Sequence, residues 1–138
     1  MLWSLILLFA RTLPKTDALA MDPVVHARFV ELLQQGGYGW FKTERAAFII
    51  RQANGGYRFA VWPFMHKELE ADYGGTIPEG LVAIVHTHPN TAKKPSAGDC
   101  ETARRLGTPV YVLTANNIYV ATSRGEIVAV VANSSWAR

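Results

Sequence analysis

Cysteine is nearly missing from this sequence. Cys100 stands alone, so no disulfide can close within the chain and no cluster of thiolates can hold a structural metal. Charge is sparse as well: Asp, Glu, Lys and Arg make up 18% of the residues and the net charge is +3. The densest basic pairs, Lys93-Lys94 and Arg104-Arg105, lack the interleaved aromatics of a nucleic-acid surface, so no nucleic-acid partner is expected. No apolar run reaches the ~20 residues that a membrane-spanning helix needs, so no stable transmembrane span is expected. Repeats and low-complexity tracts are absent, which excludes solenoids and long disordered linkers. What remains is 138 residues, 49% of them apolar, enough for one domain with a core of its own.

The longest apolar stretch opens the chain. Met1 to Ala10 carries Leu2, Trp3, Leu5, Ile6, Leu7, Leu8 and Phe9 and no charge. It suits the core of a signal peptide, and Ala18-Leu19-Ala20 offers a small-x-small cleavage site. No Lys or Arg precedes the run, however, and Arg11 to Asp17 is long and charged for a cleavage region. Three readings stand: an export signal, translation that begins at Met21, or a helix packed on the domain. The first implies an exported protein and the second a cytoplasmic one. The chain therefore divides into an apolar leader, 1–20, and a folded domain, 21–138.

Asp22-Pro23 reads as a helix N-cap followed by its first residue, with Val25, Phe29, Leu32 and Leu33 at helical spacing and Gly36-Gly37 as the stop. Ala46–Arg51 and Tyr57–Trp62 read as strands joined by an Asn54-Gly55 hairpin turn. Pro63 to Gly75 is irregular, and Ile77 to Gly80 is a turn. Leu81–Val85 is continuously apolar, the pattern of a strand buried on both faces. Ser96 opens a helix that reaches Leu106 and closes at Gly107. Val110–Thr114, Ile118–Ala121 and Ile127–Val131 are three more strands, turning at Asn116-Asn117 and Arg124-Gly125. This order predicts an α/β (α+β) domain, one mixed β-sheet packed against helices.

The buried strand runs into His86-Thr87-His88-Pro89. Strand alternation puts both imidazoles on one face, with Thr87 opposite, so they can point at one spot beyond the sheet. After a seven-residue interval comes Ser96-Ala97-Gly98-Asp99, which places Asp99 in the first turn of the next helix. Two histidines and a carboxylate leave one position of a tetrahedral zinc open, as catalytic sites do. Each part alone has an ordinary explanation: strand-end histidines are usually just satisfied polar groups, and Ser-x-x-Asp is a capping box. Together they should coincide by chance on the order of once per hundred thousand chains of this length.

The His86-Thr87-His88-Pro89 and Ser96-x-x-Asp99 pattern resembles the signature of the JAMM (MPN+/JAB) zinc metalloproteases. The resemblance covers roughly residues 22 to 131, because the order of elements also agrees. It implies an MPN-like fold with a cytidine-deaminase-like architecture. It also implies Zn2+ held by His86, His88 and Asp99, with Ser96 stabilising the oxyanion and an upstream glutamate activating water. Glu44, at the head of the first long strand, fits that glutamate's place better than Glu31, Glu68, Glu70 or Glu79. The implied reaction is hydrolysis of a peptide or isopeptide bond.

Other chemistries fit poorly. Zinc deaminases need His-x-Glu and Pro-Cys-x-x-Cys, and neither is present. Amidohydrolases also carry His-x-His at a strand end, but on barrels of about 250 residues. The remaining rival is a metal-free scaffold of the same fold that only binds partners. Members of the resembled family that cleave ubiquitin conjugates often carry inserted segments, whereas this chain is compact, in the manner of a bacterial or phage-type member. Its expected partner is a protein or peptide substrate: a ubiquitin-like or sulfur-carrier tail, a cell-wall peptide, or a toxin target. Cys100, one position past Asp99, is expected in the core.

Overall fold

Residues 17–40, 44–63 and 76–138 are described in the computed structural model of this protein. The Asp22 carboxylate accepts the N–H groups of Val24 and Val25 (2.9 and 3.2 Å), and Pro23 supplies the fixed φ of a first helical residue. Between this cap and Gly36 lies Pro23–Gln35, with Val25, Phe29, Leu32 and Leu33 as its buried stripe. One short turn of helix, Ala18–Met21, precedes it, capped by Asp17. We label these α2 and α1. A 3-10 turn, Gly37–Gly39, then leads towards the sheet.

The sheet has six strands: β1 (Ala46–Arg51), β2 (Tyr57–Val61), β3 (Leu81–Thr87), β4 (Val110–Thr114), β5 (Asn117–Ala121) and β6 (Ile127–Val131). Their order is β2-β1-β3-β4-β5-β6. Four of the neighbouring pairs are antiparallel and β3–β4 is parallel. A parallel pair needs a crossover, and α3 (Ala97–Leu106) provides it. The expected mixed sheet is therefore present.

Alternation along the strands divides the core in two. Ala47, Ile49, Val85, Tyr111 and Leu113 pack with Phe29 and Leu33 of α2. Phe48, Ile50, Ile84 and Val110, on the other face, pack with Cys100 and Ala103 of α3. A central strand covered on both faces must be apolar throughout, which accounts for the continuous run in β3. Cys100 is buried in this second layer, as expected.

The structure departs from the sequence reading in four places. β5 opens at Asn117, a residue read above as part of the turn. β3 continues through His86 and Thr87, because the Thr87 and His88 N–H groups still find strand-like partners, the carbonyls of Arg45 (2.8 Å) and Leu113 (2.9 Å). β2 ends at Val61 rather than Trp62, although the Trp62 N–H still reaches the Ala46 carbonyl at 2.8 Å. Residues 17–20, assigned above to the leader, pack on the domain: Ala20 is 2% exposed, and the Tyr111 hydroxyl donates to the Asp17 carboxylate at 2.8–2.9 Å. The readings made for residues 1–16 and for residues 64–75 lie outside the described residues.

Candidate metal centre

Antiparallel pairing sets Ala46 of β1 opposite His86 of β3. Glu44 lies two positions before Ala46 and so shares the face of His86. The pairing persists beyond β1 itself, since Thr87 Oγ1 accepts the Arg45 N–H at 2.9 Å on the opposite face. α2 also stops hard against this point: a Cβ on Gly36 would lie 2.8 Å from Thr87 Oγ1, so any larger residue there would force Thr87 to shift. Glu44 is thereby held beside the histidines. Its side chain is 8% exposed, and those of His86 and His88 are 10% and 7%.

α3 brings the second carboxylate. Ser96 and Asp99 form a reciprocal capping box, with the Asp99 N–H donating to Ser96 Oγ (3.1 Å) and the Ser96 N–H donating to Asp99 Oδ2 (2.7 Å). That grip leaves Asp99 Oδ1 free to approach His86 Nε2 at 2.9 Å, while Oδ2 stands 3.6 Å from His88 Nε2. Glu44 comes from the other side: Oε2 is 3.7 Å from His86 Nδ1, and Oε1 is 3.4 Å from His88 Nε2. The two imidazoles meet edge to face, with centroids 4.5 Å apart.

The electrostatics follow from this crowding. Burial opposes a charge on His86, but the adjacent Asp99 and Glu44 carboxylates outweigh it and push the imidazole up to about 9. Burial, joined by repulsion from His86, lowers His88 below the ordinary histidine value. Burial alone would raise Asp99, but His86 and the Ser96 N–H hold it down to about 2. The His88 ring is also oriented, because its Nδ1 lies 2.7 Å from the Ala92 carbonyl. That carbonyl can only accept, so Nδ1 carries the hydrogen and Nε2 keeps its lone pair.

These groups fit a metal. Glu44, His86 and His88 can each offer one ligand atom, all within 4.8 Å of one another, and so could hold an ion. His86 Nε2 supplies a second sign. Asp99 Oδ1 lies 2.9 Å away, yet this buried nitrogen is not satisfied by a well-directed hydrogen bond among the described residues.

All the expected site residues gather here. Glu44 and Asp99 each approach both His86 and His88, and Ser96 joins through Asp99. Of the other glutamates, Glu31 is spent on a surface pair with Arg28 and Glu79 lies in the turn at the far end of β3. Glu68 and Glu70 lie outside the described residues. The sequence reading missed Asn90. Its N–H donates to the Gly39 carbonyl and its Nδ2 to the Tyr38 carbonyl (2.9 and 3.0 Å), while its Oδ1 accepts the Ala115 N–H (2.9 Å). An asparagine directly after His-Pro was the available signal.

A sequence model of the family described as prokaryotic homologs of the JAB domain matches residues 24–131. The chain belongs to this family. The matched stretch of this JAB domain runs from the first turn of α2 to the end of β6, and it contains every residue of the site. No curated protein and no solved structure gives a significant match.

Proposed function

We propose that this JAB domain is a zinc metallopeptidase that hydrolyses a peptide or isopeptide bond. His86, His88 and Asp99 are its metal ligands, Glu44 its general base and Ser96 its oxyanion donor. The observation that carries this reading is the way two carboxylates approach one pair of histidines. Asp99 faces Nε2 of both rings, whereas Glu44 shares Nε2 only at His88 (3.4 Å) and meets His86 through Nδ1. A ring gives one nitrogen to one ion, and the Ala92 carbonyl leaves Nε2 as the donor of His88. On this reading Asp99 completes the ligand set. Glu44 is left within reach and free to move a proton.

Zinc, when bound, supplies a Lewis acid and lowers the pKa of water to about 7. Glu44, only 8% exposed, would take a proton from the attacking water and pass it to the leaving amine, a base turned acid. Ser96 Oγ accepts from the Asp99 N–H and still has its own O–H to donate to the oxyanion that develops on the carbonyl. Asp99 has two tasks, since the oxygen that caps α3 also locks the carboxylate in place.

Zinc content and amide hydrolysis, measured together on the same variants, test the reading. Candidate substrates are ubiquitin-like or sulfur-carrier tails, cell-wall peptides and toxin targets. His88→Ala is expected to lose the metal. Glu44→Gln should keep about one zinc per chain while hydrolysis falls by about 10²–10⁴-fold, the size of a lost general base. Full zinc retention in a His86→Ala/His88→Ala double variant would refute the ligand assignment.

A further inference from the structure

The hydrogen on the His88 ring is contested. The Ala92 carbonyl draws it to Nδ1 from 2.7 Å, while Glu44 Oε1 and Asp99 Oδ2 face Nε2 from 3.4 and 3.6 Å. Were that carbonyl to move away, the two carboxylates would draw the hydrogen to Nε2, the nitrogen proposed for the metal. Metal binding at Nε2 therefore depends on what holds the carbonyl in place. Burial does not, because Thr91 and Ala92 are both exposed. A turn does: the Ala92 N–H donates to the Pro89 carbonyl at 2.9 Å, with Asn90 and Thr91 as the central residues.

Asn90 ties this turn to two other parts of the fold. The pairing of β3 with β4 runs on to the His88 N–H, which reaches the Leu113 carbonyl, and Pro89 has no N–H to continue it. Asn90 Oδ1 takes over, accepting the Ala115 N–H at 2.9 Å. On its other side, Asn90 Nδ2 donates to the Tyr38 carbonyl at 3.0 Å, and its main-chain N–H donates to the Gly39 carbonyl at 2.9 Å. Tyr38 sits at a φ of 56°, rare for tyrosine, in the turn that Asn90 clasps. The place calls for an acceptor and a donor side by side, which a short side-chain amide supplies. We propose that Asn90 is a positioning residue of the metal centre: its clasp fixes the Pro89–Ala92 turn, so that the Ala92 carbonyl keeps the hydrogen on Nδ1 and leaves His88 Nε2 for the ion. This inference rests on the assignment of His88 as a metal ligand and adds the residue that prepares it.

The test uses the full-length protein, with zinc and after its removal by a chelator. Long-range proton–nitrogen NMR of the metal-free protein reads which nitrogen of His88 carries the hydrogen, with the signals assigned by their loss in His88→Ala. In the parent it should be Nδ1. Asn90→Ala should move a measurable share to Nε2 and weaken zinc binding in chelator competition by about tenfold, the lower end for a lost supporting contact. Thr91→Ala, an exposed change in the same turn, should alter neither. If Asn90→Ala fails to fold, Asn90→Asp carries the test. It keeps the acceptor for Ala115 but sets an oxygen against the Tyr38 carbonyl, so the hydrogen should shift the same way. An unmoved hydrogen in the folded variant, a zinc affinity equal to the parent's in Asn90→Ala, or an equal loss in Thr91→Ala would overturn the positioning role. The ligand assignment is judged apart. Zinc lost in His88→Ala but held normally in Asn90→Ala would remove Asn90 alone, whereas full retention in His86→Ala/His88→Ala would remove the ligand set and this role with it.

Discussion

On the proposed reading, a proton and a metal compete for the same nitrogen of His86. Two carboxylates hold the imidazole proton with a pKa of about 9, while burial keeps His88 neutral near pH 7. A metal must displace the His86 proton, so binding should release it and tighten by about tenfold per pH unit between 6.5 and about 9. Calorimetry in buffers of different ionisation enthalpy measures both effects; a pH-independent affinity would contradict the assignment. In metal-free protein the sign is opposite. A raised histidine pKa stabilises the fold fully below 6.5 and loses that contribution as pH climbs through about 9. Asp99, held down to about 2, contributes above its ordinary 3.8 and fails only as pH falls through about 2. Metal-free protein should therefore lose stability from pH 6.5 to 9, as urea unfolding at each pH would reveal. Much of this site was legible in the sequence, because alternation fixes the common face of His86 and His88, and capping chemistry fixes Asp99 in a first turn. The pairing of each carboxylate with particular ring nitrogens was not legible, since rotamers decide it.

Among the elements, α3 carries a capping box to which the proposed reading adds a chemical task. Removing the Ser96 hydroxyl should cost about 1 kcal/mol of stability through the lost cap. Activity should fall by about 10²–10³-fold through the lost donor, while zinc stays bound. Thermal unfolding and turnover, measured on Ser96→Ala, separate the two effects. The Gly37–Gly39 turn gives a second expectation. Gly39→Ala meets both a positive φ and the Asn90 side chain, so it should destabilise the protein by about 1–3 kcal/mol, and Asn90→Ala should relieve part of that in the double variant. The helices and the hairpin were predictable because their signals are local: Asp22-Pro23, Asn54-Gly55, Ser96 and Gly107. The Asn90 clasp was not, for its side chain bridges chain separations of 52 and 25 residues.

Across the whole molecule, the folded unit takes in α1 as well as the family-matched stretch. Tyr111 is 2% exposed, and burial together with its hydrogen bond to Asp17 pushes its phenol well above the usual range. A chain beginning at Met21 would strip that hydroxyl of its partner and remove Ala20 from the core. It should be less stable than one beginning at Asp17 by about 1–3 kcal/mol, the penalty of a buried group left unsatisfied. Tyr111→Phe should narrow the gap when the two chains are unfolded in urea. Equal stability would show that Asp17 contributes nothing. No local pattern announces this contact, because its partners lie 94 residues apart in the chain.

The β3–α3–β4 crossover also bears on the time course of folding. His86, His88, Ser96 and Asp99 all lie on this one connection, whereas Glu44 joins only when β1 docks, from 42 residues earlier in the chain. Closing the short loop costs less chain entropy and comes sooner than the long one. An ion captured by the crossover would therefore act as a nucleus, docking the start of α3 against the end of β3 before Glu44 arrives. Refolding in stopped flow should then accelerate with zinc in Glu44→Gln as much as in the parent, and not at all in His88→Ala.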